Sequence, residues 1–67
     1  MDNFSTRIKA LREDKGLSQS QLAKLTNISQ AAISLWEDGQ RLPNAEAIIT
    51  MAQFFGVSTD YILGLAD

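Results

Sequence analysis

The chain has 67 residues, a formal net charge of −2, no cysteine and no histidine. That excludes disulfides, leaves a structural zinc site without its usual ligands, and removes the commonest general base and the best nucleophile, so neither an enzyme nor a metal or cofactor site is expected. The length admits one small domain, residues 1–67, near the lower limit for unaided folding, and a pI near 4.8 argues at first against a polyanionic partner.

The first predicted helix covers about Asn3–Lys15. Phe4, Ile8 and Leu11 recur at i, i+4 and i+7, the spacing of one helix face. Gly16-Leu17-Ser18 then ends it. Glycine tolerates the left-handed conformation that closes a helix, and serine caps the next one. Ser18 and Gln21 have the spacing of a capping box, so a second helix is predicted over Gln19–Thr26. Asn27-Ile28-Ser29 repeats the same grammar and opens a third helix over Gln30–Asp38. Gly39 ends that helix, Pro43 blocks continuation, and Asn44 caps a fourth over Ala45–Phe55. In the fourth, Ala45, Ile48, Ile49, Ala52 and Phe55 mark the apolar face. Gly56-Val57-Ser58 leads to a fifth helix over Thr59–Leu65. No stretch alternates at period two, so the expected fold class is all-α with five helices. Apolar runs such as Ala31-Ala32-Ile33 and Phe54-Phe55 are far too short for a bilayer or a signal peptide. A soluble, cytoplasmic chain with no membrane partner is therefore expected.

Helices two and three are short and joined by a tight corner at Asn27, the pattern of a helix-turn-helix over about residues 19–38. Ala23 lets the two helices cross closely, and Leu22, Ile28, Ile33 and Trp36 can form their shared core. Winding the third helix at ~100° per residue gathers Ala32, Ile33 and Trp36 on one side. Gln30, Ala31, Ser34 and Leu35 lie largely on the other. An outward face that is small, neutral and amide-bearing suits a major groove about 12 Å wide better than open solvent. A glutamine can exchange hydrogen bonds with adenine, and alanine or leucine can touch a thymine methyl.

From Arg7 to Leu63 the sequence resembles the DNA-binding domain of the lambda-repressor/Cro-like helix-turn-helix regulators. The resemblance is carried by Ile8-Lys9-Ala10-Leu11-Arg12, Gly16-Leu17-Ser18-Gln19-Ser20-Gln21-Leu22-Ala23, Ile28-Ser29-Gln30, Ile33-Ser34-Leu35-Trp36-Glu37-Asp38-Gly39 and Gly56-Val57-Ser58-Thr59-Asp60-Tyr61-Ile62-Leu63. It implies a compact five-helix, lambda-repressor-like domain that binds double-stranded operator DNA as a homodimer, in a bacterial or phage-encoded regulator. By the same resemblance Gln30, Ala31 and Leu35 face bases, with Ser34 beside them. Ser18, Gln19, Gln40, Arg41 and Lys15 are candidate phosphate contacts, helped by backbone N–H groups around Asp38 to Gln40. Arg12 pairs with Glu37. Two positions depart from the family pattern. Asn27 replaces the usual glycine of the turn, and Arg41 is the sole cation in a stretch that often carries several.

Plainer readings stand beside these. Trp36 is expected in the core. Arg7, Lys9 and Lys24 read as solvated helix faces. Tyr61, Ile62 and Leu65 either close the core or form a two-fold dimer contact. Asp2, Glu46, Asp60 and Asp67 are expected outside the docking face, whereas Glu13, Asp14 and Asp38 lie near it. The acidic balance keeps a second function open, a protein-interaction helix-turn-helix of antitoxin or adaptor type with little DNA binding. No small-molecule site is evident. The 67 residues are expected to be either a complete small regulator or the N-terminal domain of a longer one.

Overall fold

The computed structural model of the chain describes residues 3–67, so Asp2 lies outside the described residues. The described residues form α1 (Phe4–Asp14), α2 (Gln19–Thr26), α3 (Gln30–Glu37), α4 (Ala45–Phe55) and α5 (Thr59–Ile62). Helix α3 packs on α1 and α2, while α4 and α5 pack on each other and reach back to α2 and α1. None of these helices is long and apolar enough to cross a membrane.

Short polar side chains start every helix. The side-chain oxygens of Asn3, Ser18, Ser29, Asn44 and Ser58 each accept from the backbone N–H three residues on, at 2.8–3.1 Å. Each occupies an N-cap, where one hydrogen bond satisfies a donor that the helix itself cannot. At Ser18 the capping box is complete, because the Gln21 side chain accepts from the Ser18 N–H at 2.8 Å.

The helix ends share one closing device. The N–H groups of Leu17, Ile28, Gln40, Val57 and Leu65 each donate five residues back, to the carbonyls of Arg12, Ala23, Leu35, Ala52 and Asp60. The residue before each donor has positive φ, and Asn27, at +58°, is the one non-glycine among them. This 6→1 bond defines the Schellman close and turns the chain sharply within two residues. The device also explains a difference from expectation. Gly64, at φ +82°, closes α5 after Ile62, so that helix is four residues long and does not reach Leu65. At the other margins Asn3, Lys15 and Asp38 are caps and not helical residues.

The corners fold the apolar faces onto one core of Phe4, Ile8, Leu22, Ile33, Trp36, Met51, Ala52 and Ile62. Phe4 meets Trp36 edge to face, with ring centroids 5.7 Å apart, so the first residue of α1 is seated against α3. Leu11, Leu17, Ala23, Ile28 and Ala32 line this core from the edges. On α4 the buried stripe is centred on Met51 and Ala52, which rotates the expected face. Ala45 is exposed and Ile49 is 48% exposed.

The turn of the helix-turn-helix therefore depends on a left-handed asparagine. Asn27→Ala should destabilise the domain by about 1 kcal/mol, because a Cβ without a compensating polar group is strained there. Asn27→Gly should be no less stable than the native chain within a few tenths of a kcal/mol. Thermal melts resolve the two, since about 1 kcal/mol moves the midpoint of a domain this small by roughly 4–8 °C.

Candidate nucleic-acid interface

The outward side of α3 is built by the burial of its inward side. Ile33 and Trp36 are enclosed, which leaves Gln30 and Ala31 exposed at the start of the helix and Ser34 and Leu35 half-exposed one turn on. The four residues expected to meet bases thus share a free face. That face carries one carboxamide, one hydroxyl and two apolar groups, with no charge.

The position of α3 is fixed by a hydrogen-bonded cluster of charged groups. Arg12 of α1 donates from Nε to Glu37 Oε2 at 2.7 Å and from Nη2 to Glu37 Oε1 at 2.9 Å. This is a bidentate fork, the strongest geometry open to such a pair. The side chains are only 12% and 3% exposed. The remaining Arg12 Nη1 donates to the Leu17 carbonyl at 2.7 Å, inside the α1–α2 corner. The hydrogen bond to Glu37 raises the Arg12 pKa above its ordinary value, so the guanidinium stays charged. Among the described residues no buried side-chain N or O atom lacks a partner.

Gln19 joins the same cluster. Its Nε2 donates to Glu37 Oε1 at 3.2 Å, which places the first residue of α2 beside the last residue of α3. One amide hydrogen and the amide oxygen of Gln19 stay open. Ser18 is exposed, but its N–H and one lone pair are committed to the capping box. Its hydroxyl proton is what it can offer outward.

One expected anchor needs correction. The N–H groups of Asp38, Gly39 and Gln40 were expected to point at a phosphate, yet they donate to Ser34, Trp36 and Leu35 at 3.0, 3.1 and 2.9 Å. The Schellman close of α3 uses them. The side chains of Gln40 and Arg41, both exposed, remain for an anion. Arg41 lines an open groove of about 540 Å³ between the turn, α3 and the start of α4. Lys15 is exposed and lies 6.0 Å from the Phe54 ring centroid, beside the end of α4.

The C-terminal residues divide. Ile62 is 0% exposed inside the chain's own core, so it has no surface to give a second copy, and the expectation of a dimer contact there is withdrawn. Tyr61 is half-buried and Leu65 is 74% exposed. Arg7 is not a freely solvated side chain, because it binds carbonyls at the far end of the molecule. Nothing in the local spacing signals that contact, since its partners lie 54 and 59 residues away. Glu46, Asp60 and Asp67, expected outside the docking face, are exposed, and so are Glu13, Asp14 and Asp38, expected near it.

Two short helices joined by a left-handed turn, the second with a free neutral face and its base locked to α1, define a helix-turn-helix domain. The helix-turn-helix family model matches residues 8–62, and the chain belongs to this family, of the lambda-repressor/Cro-like type. The HTH-type transcriptional activator BcrR of Enterococcus faecalis is 40% identical over 60 residues, covering 90% of this chain and 29% of that protein. The repressor protein C2 of Salmonella phage P22 is 35% identical over 57 residues, 85% of this chain and 26% of that one. The crystal structure of the P22 c2 repressor with a synthetic operator superposes at a TM-score of 0.89 with 30% identity, covering 98% of this chain and all of that one. The chain spans between about a quarter and just over half the length of the curated relatives it matches.

The fork predicts an asymmetric response to mutation. Arg12→Met leaves the Glu37 carboxylate buried without its partner and should cost about 3–5 kcal/mol. The double replacement Arg12→Met with Glu37→Met should regain most of that loss, because no charge is then stranded. Urea unfolding of both single variants and the double variant gives the coupling directly.

Proposed function

We propose that the chain binds operator-type double-stranded DNA in a sequence-specific manner and regulates transcription. The free neutral face of α3 carries this reading. With α3 in the major groove, Gln30 meets a base edge through its carboxamide, and Ala31 and Leu35 offer apolar contact to thymine methyls. Ser34 supplies a hydroxyl to either donor or acceptor edges. The first turn of α2 has N–H groups with no intrahelical partner, and with Ser18 and Gln19 it forms a phosphate seat. Lys15, Gln40 and Arg41 are the further phosphate contacts. The likeness to a repressor solved with operator DNA supports the same docking.

Two copies acting on a pseudo-palindrome suit the size of the domain. Its extents are 27 × 24 × 21 Å, and neighbouring half-sites lie about 34 Å apart. Tyr61 and Leu65 are the residues we assign to the two-fold contact. Occupying a promoter would exclude polymerase or a rival regulator, which makes the chain a repressor by occlusion. A DNA partner supports a location in the cytoplasm of a bacterium or of a phage host.

Gln30→Ala should weaken specific binding by about 1–3 kcal/mol while helicity is unchanged. Titration of an operator obtained by selection from random duplex DNA measures it, and an unchanged affinity with intact helicity sinks the base-contact assignment. Salt separates this reading from its rival. A dimer using Lys15 and Arg41 from each copy should show a slope of log K against log salt of about −3 to −4. The exposed acids Glu13, Asp14 and Asp38 favour the alternative, a protein-interaction module. Absence of DNA binding even at low salt selects that alternative.

A further inference from the structure

The groove of about 540 Å³ lies on the side of α3 that carries Ala32 and Trp36. Its volume is within the range of about 300–1,000 Å³ for small-molecule sites. The lining comes from the turn, α3, the loop after Gly39 and α4, so no local spacing signals it. Ile28, Ala32 and Ala47, all half-buried, give it an apolar surface. Trp36 lines it too. This side chain is 4% exposed, and its indole N–H donates to none of the described residues. Because no buried side-chain nitrogen or oxygen among the described residues lacks a partner, that nitrogen reaches solvent. A nearly enclosed donor without a partner costs free energy that an acceptor in the groove recovers.

The groove carries one cation and one carboxylate. Arg41 and Glu46 both line it, both are exposed, and neither forms an ion pair among the described residues. Asn44 Oδ1 is taken by the Ala47 N–H at 2.8 Å, so Asn44 Nδ2 remains a donor. The N–H groups of Ala45 and Glu46 open α4 without an intrahelical partner, and the positive end of that eleven-residue helix favours an anion. Donors for a carboxylate therefore come from Trp36, Arg41, Asn44 and the start of α4, while Glu46 suits a cation. A ligand with two anionic groups would meet Glu46 as a like charge, and one with two cationic groups would meet Arg41.

We propose that this groove binds an apolar α-amino acid as its zwitterion. The carboxylate takes hydrogen bonds from the Trp36 indole and from Arg41, the ammonium pairs with Glu46, and the side chain lies on Ile28, Ala32 and Ala47. Apart from Arg41, these residues are distinct from those assigned to DNA, and the proposal does not rest on that reading.

Titration of L-leucine into the full chain tests it. Trp36 is the sole tryptophan, so its fluorescence and the proton shift of its indole N–H both report on the groove. Both should change saturably and with one dissociation constant. Isocaproate lacks the ammonium and isoamylamine lacks the carboxylate, so each should bind at least about fivefold more weakly. Glu46→Gln should weaken L-leucine by a similar factor without weakening isocaproate. Circular dichroism checks that this variant, changed at an exposed side chain, keeps its helices. No saturable change with L-leucine overturns the proposal. So does equal binding of isocaproate or isoamylamine, or an L-leucine affinity that a folded Glu46→Gln leaves unchanged. If the variant loses helicity, the three ligands on the native chain decide alone.

Discussion

The fork between Arg12 and Glu37 ties together four pieces of a chain that has no cysteine to cross-link it. Arg12 sits on α1, Glu37 ends α3, Leu17 lies in the first corner and Gln19 begins α2. A core of eight buried side chains fixes how far apart the helices lie, but apolar contact has little directional preference. The fork adds direction. Two parallel hydrogen bonds define the azimuth of α3 against α1, and the third Arg12 bond fixes the corner that launches α2. Burial of such a pair adds little net stability on its own, since desolvation offsets much of the attraction. Its effect here is on geometry, which is what the base-reading role proposed for α3 requires.

That geometry links the first residue of α2 to the last of α3. Gln19 reaches Glu37, so the start of α2 cannot swing away from α3 without breaking a hydrogen bond to a charged oxygen. The corner at Asn27 holds the other end of the pair. Between these two ties, the outward face of α3 and the first turn of α2 are presented at a fixed offset. An interface assembled this way is pre-organised, so binding forfeits less conformational freedom than a loop of the same composition would.

Most of the fold is legible from the sequence because its punctuation is local. Asn3, Ser18, Ser29, Asn44 and Ser58 act within three residues, and Gly16, Asn27, Gly39 and Gly56 act within five. Gly64 is an instance of the same device that reading by apolar spacing passes over, since Tyr61, Ile62 and Leu65 look helical around it. The face of α3 is legible for the same reason, because burial of Ile33 and Trp36 dictates what is left outside. What is not legible is where hydrogen bonds go once the corners close. The N–H groups of Asp38 to Gln40 look free in a loop and are engaged in the structure. Arg7 looks like a solvated cation, and its partners become visible only when the last residues fold back on α1. Ile62 and Leu65 share an apolar character but not a fate, because one turn of backbone separates core from surface.

The acidic balance takes on a different meaning once the basic residues are placed. Of the six, Arg12 is enclosed with Glu37 and Arg7 is held by carbonyls, so two cations have internal duties. Lys9, Lys15, Lys24 and Arg41 remain as exposed cations. Arg41 is the sole cation after Gly39. A surface with so few positive groups draws little affinity from counterion release, the term that dominates non-specific binding. In the DNA complex proposed above, hydrogen bonds from carboxamides, hydroxyls and the first turn of α2 then carry a larger share. Those contacts depend on angle and distance far more than a point charge does. A weakly charged docking face therefore needs a rigid scaffold more than a strongly basic one does. That gives the buried fork and the closed helix ends their place in the logic of the molecule.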